Sequence, residues 1–199
     1  MLKEYKTIKY RIKNEIWKRK DNKSIPMIET IYKRLCEEPS DINEHLPTLR
    51  RYAEGCEHIT EMGVRGLVST YALLMGKPKR MISWDINPVD VSHIKTDTDF
   101  HFRVGNTLEI DIEETDFLFI DTLHNYTQLK GELERHHTKV RKWIGFHDTT
   151  SFEWGGESYE GKPEKGIWPA IEEFLSDNPQ WKLVERFTNN NGLTIIGRI

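Results

Sequence analysis

The 199-residue chain is poor in cysteine, in long apolar runs and in net charge. Its two cysteines, Cys36 and Cys56, have neither metal-binding nor redox spacing, which predicts a reducing, cytoplasmic location. No stretch has the pattern of a signal peptide or the length of a membrane span, so we expect a soluble protein without a membrane partner. The formal net charge of -3 gives no overall reason to bind nucleic acid.

The amino-terminal part of the chain has a helical pattern. Residues 1–23 carry nine Lys or Arg against three acidic residues, and isoleucines recur every four residues, which predicts a basic amphipathic helix. Its basic face is either solvated, which we favour, or a contact for an anionic partner such as RNA. A second helix is predicted from near Pro26 and a third over residues 46–54. Residues 1–54 are therefore predicted to form a helical extension.

The remaining chain, residues 55–199, alternates short apolar runs with helical patterns. This alternation is typical of an α/β fold with a parallel sheet. A terminal antiparallel hairpin is predicted from two further runs joined by an asparagine-rich turn. The predicted strands cover residues 58–61, 81–84, 100–104, 117–120 and 143–147, and the hairpin strands cover residues 181–187 and 193–199.

A glycine-containing turn follows the first apolar run. The run ends at Glu61, and Gly63 and Gly66 lead into a helical pattern, so bare backbone amides and a helix start are expected over the sheet edge. The second run ends at Asp85, at the spacing where nucleotide-binding folds place a carboxylate on ribose hydroxyls. The full dinucleotide fingerprint G-x-G-x-x-G is absent here, which favours a nucleoside ligand.

Three segments resemble one family. The segment EMGVRGLVST (residues 61–70) resembles the first motif of class I S-adenosylmethionine-dependent methyltransferases. DFLFIDTLHNY (116–126) and GFHDTT (145–150) resemble the subgroup of small-molecule O-methyltransferases that includes sugar and catechol enzymes. The resemblance covers residues 55–199 and implies a Rossmann-like sheet of seven strands, of which only the last is antiparallel. It also implies that the amino-terminal extension serves as a lid over the cofactor or as a homodimer interface.

The resemblance implies a set of cofactor-binding residues. Gly63, Gly66 and Asp85 are expected to hold S-adenosylmethionine. Glu61 is expected to contact the methionine end of the cofactor or the turn that holds it, with loop anchoring as the alternative. Beyond the third run, Asn106 and Thr107 are expected either to bind the adenine edge or to form an ordinary turn.

Asp121 and His124 follow the fourth run. If a helix begins directly after the strand, their three-residue spacing lets both point into one cleft. Methyl transfer to oxygen requires a deprotonated acceptor, and an imidazole with a pKa near neutrality suits that role. The resemblance places the family's catalytic base at His124, which we predict to be the general base, with Asp121 and Asp148 as organising catalytic residues.

A metal site is predicted at the ends of the fourth and fifth runs. Asp121 and Asp148 are expected to bind one Mg²⁺ together with substrate hydroxyls and water. His147 is the third candidate ligand, although imidazole is a poor partner for Mg²⁺, and several metal-dependent relatives have an acidic residue at that position. Without a metal, the two aspartates would orient the base or the acceptor.

The segment of residues 151–165 is predicted to be a glycine-studded loop. Its Trp154 and Tyr159 are expected either to stack on an acceptor ring or simply to anchor the loop. The sequence thus predicts an O-methyltransferase acting on a hydroxyl of a small polar acceptor, most simply a sugar or glycan-like metabolite. The alternatives are an RNA methyltransferase that uses the basic amino-terminal helix, and a cofactor-binding module that has lost catalysis.

Overall fold

The computed structural model describes residues 28–199. The predicted basic helix of residues 1–23 and the start of the second helix near Pro26 lie outside the described residues. Within the described part of the chain, no helix is both long and apolar enough to cross a membrane.

The described residues form five α-helices, two short 3-10 helices and nine strands. The helices are α1 (Ile28–Glu37), α2 (Leu46–Ala53), α3 (Val68–Met75), α4 (Tyr126–His136) and α5 (Trp168–Asp177). The strands are β1 (His58–Met62), β2 (Arg80–Asp85), β3 (Asp99–Val104), β4 (Thr115–Ile120), β5 (Val140–His147), β6 (Gly155–Tyr159), β7 (Lys162–Lys165), β8 (Trp181–Phe187) and β9 (Leu193–Arg198).

Seven strands form one sheet in the order β3-β2-β1-β4-β5-β9-β8. Only β9 runs opposite to the other six strands, because it enters between β5 and β8 as the second strand of the terminal hairpin. The predicted Rossmann-like fold, with seven strands and only the last antiparallel, is confirmed. The chain reverses its direction across the sheet between β1 and β4, and open α/β sheets bind ligands at such a switch point, beyond the carboxyl ends of the strands.

The two faces of the sheet are covered by different helices. On the central strand β4, Phe117 and Phe119 point into the core formed with α1, α2 and α3. Leu118 and Ile120 point to the opposite face, into the core formed with α4 and α5. This alternation follows from the period of two along a strand. Because both faces are buried, β4 reads as a continuous apolar run.

Two local predictions were wrong. Residues 151–165 are not an irregular loop throughout, because β6 and β7 pair as a separate antiparallel hairpin. The helix after β4 does not begin directly behind the strand. It begins at Tyr126, where the Asn125 side chain caps it by accepting a hydrogen bond from the Gln128 amide, so Asp121 and His124 lie in the preceding loop.

Candidate active site

The glycine turn after β1 lies directly against the end of β4. Gly63 has a φ of +85°, and a Cβ at this position would collide with the carbonyl oxygen of Asp121. The Gly63 amide donates a hydrogen bond to the Trp84 carbonyl of β2. Only glycine satisfies both the left-handed backbone and the close approach. The predicted cofactor turn and the predicted catalytic loop are therefore in contact at the switch point.

Besides Gly63, the same turn contains two non-glycine residues with left-handed backbone. Arg65 has a φ of 41° and Leu67 a φ of 64°, and they flank the half-buried Gly66. Left-handed backbone costs a non-glycine residue roughly 1–2 kcal/mol. Such conformations cluster at ligand-binding segments, where surrounding contacts maintain them.

Asp85 at the end of β2 stabilises the glycine turn. Its Oδ2 accepts hydrogen bonds from the backbone amides of Val64 at 2.9 Å and Arg65 at 3.0 Å. Its Oδ1 accepts a hydrogen bond from the Asn87 amide at 2.8 Å. A carboxylate has about four lone-pair positions, so a position remains for a ligand hydroxyl. The neighbouring Ile86 leaves 68% of its surface exposed, which offers an apolar contact beside the carboxylate.

Glu61 is completely buried between β1, β2 and α3. Its carboxylate accepts hydrogen bonds from the hydroxyls of Ser69 at 2.6 Å, Thr70 at 2.8 Å and Ser83 at 2.6 Å. Burial raises the pKa of Glu61 to about 7, although the three hydroxyl groups act in the opposite direction. The structure thus places Glu61 against the elements that hold the turn, with no exposed oxygen.

The two predicted adenine-binding residues differ in environment. Asn106 is half-buried, and its side-chain amide donates a hydrogen bond to Glu109 within the loop after β3. Thr107 is buried, and its hydroxyl donates a hydrogen bond of 2.6 Å to Glu132 of α4. Gln128 donates to the same hydroxyl at 3.0 Å. Thr107 therefore holds the loop in place, while Asn106 lies nearer to the surface.

His124 lies among three carboxylates in the loop after β4. Its Nε2 is 3.1 Å from Asp121 Oδ1 and 2.9 Å from Asp148 Oδ2. Its Nδ1 is 3.2 Å from Glu157 Oε2, and its ring stacks on Phe152 with 4.7 Å between the ring centres. The structure therefore brings the three predicted catalytic residues together.

The carboxylates change the protonation of His124. Burial alone would lower its pKa, but the neighbouring carboxylates of Asp121, Asp148 and Glu157 raise the pKa of His124 to about 11. Burial would raise the pKa of Asp121, but the neighbouring His124 and His147 hold the pKa of this carboxyl well below its usual range. The three carboxylates therefore favour the charged form of the ring, in which both nitrogens carry a proton.

Asp148 has an unusual backbone that is held by the β8–β9 turn. Its φ is 60°, in the left-handed region. The amides of Thr150 and Ser151, just beyond it, both donate hydrogen bonds to the Asn191 carbonyl, at 2.8 and 3.0 Å. The Oδ1 atom of Asp148 is buried and has no hydrogen-bond partner among the described residues.

The β8–β9 turn is in turn held by residues before α2. The Asn190 side chain donates to the Ser40 carbonyl at 2.7 Å and accepts from the Glu44 amide at 3.1 Å. The buried His45 lies 2.9 Å from the Asn189 carbonyl through its Nε2. The amino-terminal extension thus contacts the segment that supports Asp148.

His147 is buried behind the two aspartates. Its Nδ1 lies 3.6 Å from Asp121 Oδ1 and 3.4 Å from Asp148 Oδ2. Neither ring nitrogen makes a well-formed hydrogen bond to a described residue. Its ring packs edge-on against His45 at 5.8 Å.

The residues that can share one metal ion differ from the predicted set. One ligand atom each from Asp121, His124 and Asp148 lies within 4.8 Å of the others. His147, the predicted third ligand, is not in this group. His124 takes that place.

The sequence analysis missed Glu157 as a residue of the site. Glu157 of β6 contacts His124 twice, since the His124 amide also donates to its carboxylate at 3.2 Å. The Glu157 amide donates to the His124 carbonyl at 2.8 Å, which fixes the β6–β7 hairpin over the loop. Trp154, directly before β6, and Tyr159, the last residue of β6, are 61% and 57% exposed. The sequence drew attention to the exposed aromatics of this segment but not to Glu157, because Glu157 lies 33 residues from His124 along the chain.

Solved structures share the fold of this chain. An O-methyltransferase from Bacillus cereus in complex with SAH is 15% identical, with 91% of this chain and 93% of that chain covered and a TM-score of 0.57. A putative caffeoyl-CoA O-methyltransferase from Staphylococcus aureus is 12% identical, with 96% and 100% covered and a TM-score of 0.54.

A third structure has a different acceptor atom. The 1,6-didemethyltoxoflavin-N1-methyltransferase from Burkholderia thailandensis, with bound 1,6-didemethyltoxoflavin and S-adenosylhomocysteine, is 12% identical, with 99% and 87% covered and a TM-score of 0.57. No protein-family model and no curated protein sequence matches the chain. What these structures establish is the Rossmann-like methyltransferase fold of this chain, as the motifs predicted.

Proposed function

We propose that the chain is an S-adenosylmethionine-dependent methyltransferase that acts on a hydroxyl of a small polar acceptor, such as a sugar or glycan-like metabolite. One observation carries the proposal: His124, Asp121 and Asp148 converge within hydrogen-bond distance at the sheet edge. The glycine turn that would hold the cofactor presses on the same loop through Gly63 and Asp121. Solved structures with this fold include methyltransferases with bound SAH.

The residues at the ends of β1 and β2 fit a nucleoside cofactor. Gly63 lets the turn pack directly against the Asp121 carbonyl, and Asp85 retains an acceptor position beside the exposed Ile86. When bound, S-adenosylmethionine supplies an electrophilic methyl group and its leaving group. The chain itself then has to orient an acceptor hydroxyl, exclude water and remove one proton.

His124 is the proposed group that accepts this proton. For that role, its Nε2 has to lose the proton that it shares with Asp121 and Asp148. A nearby positive charge lowers the pKa of a histidine, so a divalent cation at the aspartates would favour the neutral, basic ring. In this role the cation would be held by Asp121 and Asp148 and not by His124, so that Nε2 stays free to take the proton while Glu157 contacts Nδ1.

The carboxylate cluster fits a divalent cation. Asp121 and Asp148 offer hard oxygen atoms, and the buried Oδ1 of Asp148 has no other partner among the described residues. Oxygen ligands suit Mg²⁺ and Mn²⁺, whereas an imidazole ligand would shift the preference toward Zn²⁺, Fe²⁺ and other later transition metals. Such an ion would polarise an acceptor hydroxyl and lower its pKa.

Cofactor binding tests the proposal directly. Calorimetry with S-adenosylhomocysteine should show binding to the wild-type protein, and Asp85→Ala should weaken it by about 1–3 kcal/mol, the scale of hydrogen bonds to charged groups. Asp97→Ala is the control, because Asp97 is an exposed acid on the loop between β2 and β3. Undetectable binding of S-adenosylhomocysteine together with tight binding of a dinucleotide would falsify the methyltransferase proposal.

A cofactor-binding module without turnover is the second candidate. It is favoured by one observation: the three carboxylates around His124 keep the ring protonated, with its pKa raised to about 11. A panel of hydroxylated acceptors, tested with and without divalent cations, distinguishes the two candidates. Cofactor binding without methylation of any acceptor under either condition supports the silent module.

The remaining assignments concern the extension and the partners. Helices α1 and α2 pack on α3 directly behind the glycine turn, so we propose that residues 1–54 form an extension that supports the cofactor side or a homodimer contact. We further propose a cytoplasmic location and a small-molecule acceptor rather than RNA. Salt-dependent RNA binding would contradict the last assignment.

A further inference from the structure

Helix α4 contains a buried acid that the proposed chemistry does not use. Glu132 is fully buried, and its carboxylate accepts three hydrogen bonds from side chains. Oε1 accepts from Thr107 at 2.6 Å and from Gln128 at 2.8 Å, while Oε2 accepts from Thr122 at 3.0 Å. The two oxygens therefore bind groups from different parts of the chain.

The partners of Glu132 belong to both halves of the proposed site. Thr107 lies in the loop after β3, where the adenine is expected, and Thr122 lies two residues before His124 in the loop after β4. A second bond from α4 reaches the first loop, because His136 Nε2 lies 2.7 Å from the Thr107 carbonyl. A Cβ at Gly131 would lie 2.8 Å from Leu108, so α4 packs closely against this loop.

Glu132 has no basic hydrogen-bond partner among the described residues, and burying such a carboxylate costs free energy. Its desolvation is tolerated only when donors satisfy its oxygens, and loss of any donor leaves a buried charge less well compensated. The three donors around Glu132 meet this requirement. Because each oxygen binds a different loop, a displacement of one threonine changes the position of the carboxylate that the other threonine contacts.

We propose that Glu132 is a positioning residue that couples the cofactor-side loop at Thr107 to the loop that carries Asp121 and His124. The inference rests on the proposed function for the identity of the ligand. Binding of the nucleoside to the first loop then restrains Thr122 and, through it, the position of His124. The coupling itself is a property of the protein and can be measured without the ligand.

The first experiment measures S-adenosylhomocysteine binding by calorimetry. Glu132→Leu removes all three acceptor contacts and should weaken binding about tenfold or more, because both loops lose a charged hydrogen-bond partner. Glu132→Gln should stay within about threefold, because its oxygen still accepts from Thr107 and Gln128 and its amide can donate to the Thr122 hydroxyl. Thr122→Val should weaken binding in the wild-type background but not in Glu132→Leu, as a double-mutant cycle requires.

Thr115→Val is the matched control. Thr115 is a fully buried threonine at the amino end of β4, and its hydroxyl donates to the His58 carbonyl at 3.0 Å. Thr115→Val removes this hydrogen bond and should lower the melting temperature of the protein without changing its affinity for S-adenosylhomocysteine. Unchanged affinity in Glu132→Leu, at a stability loss like that of Thr115→Val, overturns the proposal.

The second experiment needs no ligand and separates this inference from the proposed function. In the histidine ring NMR spectrum of the free protein, Thr107→Val should shift the His124 signals, although Thr107 belongs to another loop. The shift should disappear when Glu132 is Leu. If Thr107→Val leaves the His124 signals unchanged, the coupling is refuted even when cofactor binds; if the shift is seen but no cofactor binds, only the proposed ligand is wrong.

Discussion

The chemistry of single residues at this site depends on contacts between distant parts of the chain. His124 meets Asp121 from its own loop, Asp148 from the end of β5 and Glu157 from the β6–β7 hairpin. Three negative charges around one imidazole favour its charged form, and this effect exceeds the cost of burial. The sequence predicted that His124 and both aspartates would lie in one site. The pKa of His124 could not be predicted without Glu157, which carries no motif.

Replacement of His124 by Gln tests the proton-accepting role. Gln keeps a polar side chain of similar reach but cannot take up a proton, so turnover should fall about 10²-fold or more while the affinity for S-adenosylhomocysteine stays near that of the wild type. Turnover is measured with any acceptor that the wild type methylates. His101→Gln is the control, because His101 is an exposed histidine paired with Asp99. Near-wild-type turnover of His124→Gln would show that another residue is the base, and His147 would be the next candidate.

The pKa of His124 also predicts how stability depends on pH. A histidine with a raised folded-state pKa contributes stability that is fully present below its unfolded pKa of about 6.5 and is lost as pH rises through the folded value. For His124 this window extends up to a pKa of about 11. Urea denaturation without metal should therefore show a wild-type advantage over His124→Gln that is largest near pH 6 and decreases toward pH 10. An advantage that grows with pH would contradict the predicted charge.

At the scale of elements, hydrophobic pattern determined what could be predicted. The buried strands β1, β4 and β5 gave apolar runs that matched the structure to within a few residues at their ends. The hairpin of β6 and β7 was missed because it is short, mostly exposed and includes Pro163, so it lacks apolar alternation. The late start of α4 was missed although Asn125 is a favoured N-cap residue.

The β8–β9 turn gives a prediction at this scale. Asn190 has a φ of 45° and makes two side-chain hydrogen bonds to the segment before α2. Asn190→Ala removes both bonds and keeps a Cβ in left-handed backbone, so it should destabilise the protein by about 2–3 kcal/mol. Asn190→Gly loses the same bonds without the strain and should cost about 1 kcal/mol less. Equal urea midpoints for the two variants would show that backbone strain plays no part.

At the scale of the whole molecule, the site exists only because the sheet is folded. Asp121 and Asp148 are separated by 26 intervening residues and meet because β4 and β5 are parallel neighbours that end at one edge. His124 reaches them from the loop after β4. The carboxyl ends of the strands were predictable from the order of the apolar runs. The arrangement of the side chains at this edge, with His124 Nε2 close to both aspartates and His147 buried beside them, depended on side-chain packing that no local pattern encodes.

This dependence on the fold predicts that metal binding stabilises the protein. A ligand that binds only the folded state adds about 2.7 kcal/mol at a concentration of 100 times its Kd. For a domain of this size, that gain raises the melting temperature by roughly 5–11 °C. Mn²⁺ should therefore raise the melting temperature in a concentration-dependent way, and a chelator should reverse the rise.

Asp148→Asn identifies the site of this effect. The variant weakens one ligand and should remove most of the Mn²⁺-dependent rise, whereas Asp97→Asn, which changes an exposed acid away from the cluster, should leave it intact. Electron paramagnetic resonance of bound Mn²⁺ supplies a readout that does not depend on turnover. If Mn²⁺ neither binds nor stabilises the wild-type protein, the two aspartates serve to orient His124 and the acceptor, because their short contacts to the imidazole do not require an ion.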